Sequence, residues 1–178
     1  MHIRQATLAD AEILSRIAIS TFTETWERYY NPQEFQKLLV ESFDLPLMQA
    51  ALASPSTEVY FLLEGDEILG YALLRNSREP GIDGPDPIME LQRLYLAKSA
   101  HGGGRGQYFL TWLLETLKSR GIRTVWLGVW QGNVRAKGLY EKNGFRDTGN
   151  THLFSNYKLG DYDDIDQLYQ LVFDETTA

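Results

Sequence analysis

Four glycines fall within the six residues His101-Gly102-Gly103-Gly104-Arg105-Gly106, a density that no strand or helix interior accommodates and that commits this part of the chain to a loop. Upstream lies the β-rich run 88–97. Downstream, residues 107–120 carry Phe109, Trp112, Leu113, Thr116 and Leu117 at helical spacing, with Gly121 as a C-cap. The unit is therefore strand, glycine loop, helix. Bare amides at such a helix N-terminus bind anionic oxygens, and glycines let a phosphate approach closely. A simple flexible connection is the plainer reading. The position directly before an amphipathic helix favours a phosphate or pyrophosphate ligand, with Arg105 adding a movable positive charge. Two familiar nucleotide signatures do not fit: Gln107 stands where a dinucleotide fingerprint needs glycine, and Gly-Lys followed by Ser or Thr occurs nowhere. The missing glycine and the late position of the loop disfavour a nicotinamide-dependent dehydrogenase.

Around this unit the chain reads as alternating helices and strands. After a strand at 3–6, Thr7 to Asp10 forms a capping box that opens a helix with Leu14, Ala18 and Phe22 every four residues. Asn31-Pro32 supplies an N-cap and a first-turn proline for a second helix, with Phe35, Leu38, Leu39 and Phe43 on one face. The β-rich runs 58–63 and 67–75 join across Gly65-Asp66, a hairpin signature. Residues 76–87 hold Pro80, Pro85 and Pro87 with Gly81 and Gly84, and form a long loop. A strand at 124–129 follows the glycine-loop helix. The last helix, 133–142, starts at the cap Asn133 and stops at Asn143-Gly144, and weaker strand signals run from Phe145 onward. This order predicts an α/β fold with a mixed sheet covered by helices.

A length of 178 residues suits one domain over 1–178. Seventeen Lys and Arg against 24 Asp and Glu give a net charge of −7, which argues against nucleic acid as a partner and suits cationic ones. The absence of cysteine excludes a thiol nucleophile, a redox pair and a cysteine-ligated metal. His2, His101 and His152 are too scattered to suggest any other metal site. The first residues show no apolar stretch behind a basic end, and no run is long enough to span a bilayer. A cytoplasmic protein without a membrane partner is expected.

Leu94-Tyr95-Leu96, the loop from His101 to Gly106 and the helix after it resemble the acetyl-coenzyme A signature of the GNAT superfamily of N-acetyltransferases. The segment Asn133-Val134-Arg135-Ala136-Lys137-Gly138-Leu139-Tyr140-Glu141-Lys142-Asn143-Gly144-Phe145 resembles the superfamily's second coenzyme-binding segment. Ile3-Arg4-Gln5-Ala6-Thr7 with Asp10-Ala11 is similar to its opening strand and helix. The resemblance implies a mostly antiparallel sheet with one parallel pair, the fourth and fifth strands, at the coenzyme site, and helices on both faces. It implies acetyl-CoA as co-substrate, no metal, and homodimers among relatives. The coenzyme-binding residues it implies are Leu94, Tyr95, Leu96, His101, Gly102, Gly103, Gly104, Arg105, Gly106, Gln107, Asn133 and Arg135. Leu94 and Leu96 would act through their backbone. His101 departs from the Gln or Arg usual at its position, and because such a loop works through main-chain N–H groups the change is expected to tune affinity.

The reaction implied by the resemblance is direct attack of a neutral amine on the acetyl thioester, which agrees with the absent cysteine. An alkylamine with a pKa of ~10 must first lose a proton. Glu90, on the strand leading into the signature, matches by resemblance the general-base glutamate of histone-acetylating members. A surface or paired carboxylate is the competing reading. Tyr140 matches the donor to the departing thiolate. It lies two helical turns after Asn133 with Ala136 between them, and an ordinary core tyrosine is its alternative. Glu24, Trp26 and Tyr29 combine charge with aromatic faces, which suits a cationic amine, while helix-end packing explains them equally well. Trp126 and Trp130 read mainly as core and rim packing. Thr21-Phe22-Thr23-Glu24-Thr25, the run from Glu90 to Tyr95 and Leu159-Gly160-Asp161 are similar to bacterial members that acetylate spermidine, spermine or other small amines. That similarity implies a small cationic acceptor. A protein N-terminus or lysine, or a non-catalytic acyl-CoA-binding module, are the alternatives.

Overall fold

The computed structural model describes residues 1–173, so residues 174–178 of the expected domain lie outside the described residues. Its centre is the hairpin of β2 (Thr57–Glu64) and β3 (Glu67–Arg75), which pair antiparallel around a turn where Gly65 takes a left-handed φ of 58°. Val59, Phe61 and Leu63 enter one apolar cluster and Tyr60 and Leu62 another, so the two-residue period of the strand feeds a core on each side of the sheet. β1 (His2–Gln5) pairs with the outer edge of β2. β4 (Ile88–Leu96), β5 (Thr124–Trp130), β6 (Arg146–Leu159) and β7 (Tyr162–Val172) complete a seven-stranded sheet of order β1-β2-β3-β4-β5-β7-β6. Neighbours are antiparallel except β4 and β5, which are parallel.

Helices α1 (Ala11–Trp26), α2 (Pro32–Phe43) and α3 (Leu45–Ala53) pack on one face, and α4 (Arg105–Ser119) and α5 (Val134–Lys142) on the other. The mixed sheet with helices on both faces is the architecture expected from the sequence. The expected caps form. The Thr7 N–H donates to Asp10 Oδ2 at 2.7 Å, and Asn31 Oδ1 accepts from the N–H groups of Gln33 and Glu34 at 2.9 and 3.4 Å. Leu14, Ala18 and Phe22 on α1 and Phe35, Leu38, Leu39 and Phe43 on α2 are buried.

Two elements differ from expectation. α3 was not predicted: nearly every residue of Leu45-Pro46-Leu47-Met48-Gln49-Ala50-Ala51-Leu52-Ala53 is apolar, so no stripe stands out, and only Met48 is fully buried. Its start is nonetheless marked by Asp44, whose Oδ1 accepts from the Leu45 N–H at 2.9 Å. The C-terminal strand signals resolve into two long strands, β6 and β7, turning at Gly160 with a φ of 63°. β6 is mostly exposed and its pairing with β7 shifts register twice, which blurs the alternation that would mark it.

The feature that makes a site is the parting of β4 and β5. They pair only at Ile88↔Thr124, Met89↔Val125 and Glu90↔Trp126. Beyond that point β4 stays with β3 as far as Leu96 and β5 stays with β7 as far as Trp130, so the two strands diverge.

Candidate active site

The divergence leaves the edge of β4 beyond Glu90 without a strand partner on the β5 side, and a cleft of about 800 Å³ opens beside it. Leu94, Tyr95 and Leu96 line it together with His101, Gly102, Gly104, Arg105, Gly106 and Gln107 from the glycine loop and the start of α4. Asn133, Arg135 and Tyr140 line it from the α5 segment, and Glu24, Trp26 and Tyr29 from the end of α1 and the turn after it. Of the residues singled out from the sequence, Gly103 and Glu90 are not in its wall.

The loop needs its glycines. Gly102, Gly103 and Gly104 take φ values of 93°, 59° and 75° in succession, a left-handed run that residues with a Cβ adopt at a cost. The run delivers the chain into α4, where the Arg105 N–H donates to the Gly102 carbonyl at 3.3 Å and the N–H groups of Gly106 and Gln107 have no partner among the described residues. Beside them the Arg105 Nε is buried and unpartnered, while Arg105 Nη2 reaches Glu64 Oε2 at 3.4 Å. An orphaned cationic donor next to open amides fits an anionic group such as the diphosphate of coenzyme A, and the cleft volume lies in the range of cofactor sites.

Several polar side chains of the cleft already have partners. Arg135 Nη1 lies 3.1 Å from His101 Nδ1, and His101 Nε2 lies 3.1 Å from the Leu96 carbonyl. A guanidinium only donates, so Nδ1 accepts and the Nε2–H donates to Leu96, tying the loop to β4. Gln107 and Asn143 exchange amide hydrogen bonds at 2.6 and 3.1 Å, locking α4 to the end of α5. Asn133 Oδ1 caps α5 by accepting from the Ala136 N–H at 3.2 Å. Glu24 Oε2 accepts from the Lys98 N–H at 2.7 Å, so the carboxylate expected at the acceptor ties α1 to the segment after β4. Trp26, whose Nε1 donates to the Tyr95 hydroxyl at 3.0 Å, packs edge-on against Trp130 at 5.6 Å, and Tyr29 stands 5.6 Å from Trp130. Trp130, read from the sequence as rim packing, is thus part of the cleft wall, whereas Trp126 is a core residue at 1% exposure.

Tyr140 is 8% exposed, with its ring edge-on to Phe145 at 5.7 Å. Its hydroxyl makes no hydrogen bond among the described residues. Burial and the charge of Asp166 hold its pKa above the ordinary phenol value, so it stays protonated across the physiological range and keeps an O–H to donate.

Glu90 is elsewhere. Its carboxylate is 4% exposed as a residue and accepts from Arg75 Nε at 2.8 Å and Ser77 Oγ at 2.5 Å, anchoring the start of the 76–87 loop to β4. The general-base position expected for it faces that ion pair and not the cleft. The acids near Tyr140 are ones that sequence reasoning missed. A second cavity of about 100 Å³ shares Trp26, Tyr95, Trp130, Asn133 and Tyr140 with the first and adds Asp164 and Asp166 of β7. Asp164 accepts from the Tyr30 hydroxyl and from Ser155 Oγ, both at 2.6 Å, and burial raises its pKa against those two bonds. The available signal was Asp164 and Asp166 two residues apart, on one face of a strand that continues to the buried Leu168.

Residues 12–145 match the Acetyltransferase (GNAT) family. The chain belongs to that family. It is 30% identical over 142 residues, 80% of this chain and 86% of the relative, to an uncharacterized N-acetyltransferase of Mycobacterium bovis. Among solved structures, the PaiA N-acetyltransferase of Thermoplasma acidophilum in complex with coenzyme A superposes with a TM-score of 0.74 at 18% identity, covering 97% of this chain and 98% of that one. The ribosomal-protein-alanine N-acetyltransferase of Brucella melitensis does so with a TM-score of 0.72 at 25% identity, covering 97% and 100%. As a GNAT member the protein is an acetyl-CoA-dependent N-acetyltransferase. Among the described residues no helix is long and apolar enough to cross a membrane, and no group of three or more metal-ligating side chains gathers.

Proposed function

We propose that the protein acetylates a primary amine of a small cationic acceptor in the cytoplasm, a polyamine being the type suggested by the sequence. The observation that carries this reading is the small second cavity, where two acids and the rings of Trp26, Tyr30, Trp130 and Phe154 surround a space lined by Tyr140, and where the one cation in the wall among the described residues, Arg93, is engaged by the Ser42 carbonyl and the Phe43 ring. An ammonium is drawn by both the carboxylates and the ring faces. When bound, acetyl-CoA would supply the acetyl thioester. In this reading the glycine loop, Arg105 and the first-turn amides of α4 hold its anionic end, the open edge of β4 at Leu94 and Leu96 offers backbone groups to its amide arm, and Tyr140 keeps a proton at Oη for the departing sulfur. With Glu90 committed to Arg75, deprotonation of the amine falls to water or to the acids of the second cavity.

A protein N-terminus is the second acceptor class, supported by the likeness to the Brucella ribosomal-protein-alanine N-acetyltransferase. Coenzyme release measured over spermidine, spermine, amino acids, aminoglycosides and peptides beginning with alanine separates the two. Turnover dominated by the polyamines is the expected result. Turnover confined to peptides would replace this reading with the second, and tight coenzyme binding without any turnover would favour a non-catalytic module.

A further inference from the structure

Asp166 stands in the middle of a row that crosses three strands, opposite Trp130 on β5 and opposite His152 on β6. Its Oδ2 lies 3.7 Å from His152 Nε2, too far for a hydrogen bond and close enough for an ion pair once the imidazole is charged. A Cβ on Gly128 would come within 3.0 Å of the same oxygen and 3.1 Å of His152 Nε2, so the glycine on β5 leaves the space that these two groups use. The Asp166 side chain is 13% exposed, yet among the described residues it accepts no hydrogen bond. Its oxygens are open to a donor that enters the cavity it lines. Tyr140, 8% exposed, lines the same cavity, and its hydroxyl likewise has no hydrogen-bond partner among the described residues. Asp164, by contrast, is filled by Tyr30 and Ser155.

Resting on the amine-acetyltransferase reading above, we propose that Asp166 is the specificity-determining carboxylate that holds the acceptor ammonium beside Tyr140, and that His152 competes for it, so that acceptor binding weakens when His152 is protonated. The cavity of about 100 Å³ has the room of roughly three waters, which suits the head of an unbranched primary amine. The cavity around Asp166 is also lined by Asp164 along its own strand, by Tyr140 from α5, by Tyr95 and Arg93 from β4 and by Tyr30 from the segment before α2, with the Arg93 guanidinium engaged by the Ser42 carbonyl and the Phe43 ring. His152 is faced by Glu79 from the 76–87 loop, whose Oε1 lies 3.7 Å from Nδ1, and more distantly by Glu90. Asp166 raises the His152 pKa above its ordinary value, with burial opposing. Below that pKa the imidazolium neutralises Asp166 and the ammonium loses its partner. Above it the carboxylate is free.

Calorimetric titration of the coenzyme A-loaded protein with propylammonium, and with methoxyamine as an amine uncharged at neutral pH, tests this directly. Wild type should bind propylammonium about tenfold more tightly at about pH 8 than at about pH 6, since histidine changes charge in that interval. Asp166→Asn should weaken it by about 10- to 100-fold at the higher pH, the worth of a hydrogen bond to a charged group, and leave methoxyamine binding unchanged. His152→Gln should raise the low-pH affinity for propylammonium to the level seen at high pH. Equal binding by Asp166→Asn, equal weakening of both amines, a pH step that persists in His152→Gln, or no binding by wild type overturns the proposal. Acetyl transfer to propylamine, followed in parallel, tests the underlying reading separately. Asp166-dependent binding without transfer would sink the amine-acetyltransferase reading and leave the binding role standing.

Discussion

Glu90 and Tyr140 are both buried polar residues at the border of β4 and β5, and their surroundings separate them. Glu90 accepts from Arg75 and Ser77, so its lone pairs are committed, whereas the Tyr140 hydroxyl has no such partner. Glu90→Gln removes the charge that pairs with Arg75 and should cost about 1–3 kcal/mol of stability, read by thermal melting. Any accompanying rate deficit should be the same at every pH. A deficit that shrinks as pH rises, the behaviour expected of a general base, would return Glu90 to the role that the family resemblance implied. Tyr140→Phe keeps the packing against Phe145 and removes only the hydroxyl. It should lower kcat by about 100-fold, the low end for a positioned proton donor, with acetyl-CoA affinity held, as steady-state rates and calorimetry together would show.

At the scale of elements, the glycine loop is where backbone conformation and ligand chemistry coincide. Gly104 has a φ of 75° at the N-cap of α4, and nothing lies within 4 Å of where its Cβ would be, so alanine there meets no clash and acts through backbone strain alone. Gly104→Ala should therefore cost about 1–2 kcal/mol in the loop and weaken acetyl-CoA binding by about tenfold, while the melting of the rest of the fold changes little. This unit, the α2 cap at Asn31 and the hairpin at Gly65 were legible because each depends on contacts a few residues apart. α3 and β7 were not. A uniformly apolar segment carries no phase, and a strand whose partner β6 is exposed and twice shifted in register shows little alternation. The acids of the second cavity were lost for the same reason: Asp166 takes its place there only when β7 inserts between β5 and β6 and sets it opposite Trp130 and His152. Glu90 could be located on its strand, but Arg75 and Ser77 reach it only through the antiparallel pairing of β3 with β4 and the return of the loop.

For the whole molecule, the decisive fact is that a seven-stranded sheet is held across its middle by three residue pairs between β4 and β5. Hydrophobic clusters on both faces close the two halves, since Val125, Leu127 and Val129 of β5 join Leu74, Met89 and Leu91 of β3 and β4 in one cluster and Trp126 of β5 joins Ile88 of β4 in another. Beyond Glu90 the edge of β4 has no strand on the β5 side, which leaves its outward backbone groups open to the cleft. A ligand lying in the cleft can complete that edge, so acetyl-CoA should act partly as a substitute strand. Any ligand that binds only the folded state raises stability, by about 2.7 kcal/mol at a hundredfold excess over Kd. The location of the effect is what tests this account. Hydrogen exchange with and without acetyl-CoA should slow the amides of residues 92–96 and 102–107 most, leave those of β1 and β2 nearly unchanged, and show no such pattern with NAD. Protection spread evenly over all seven strands would mean that the coenzyme stabilises the fold without filling the gap between β4 and β5.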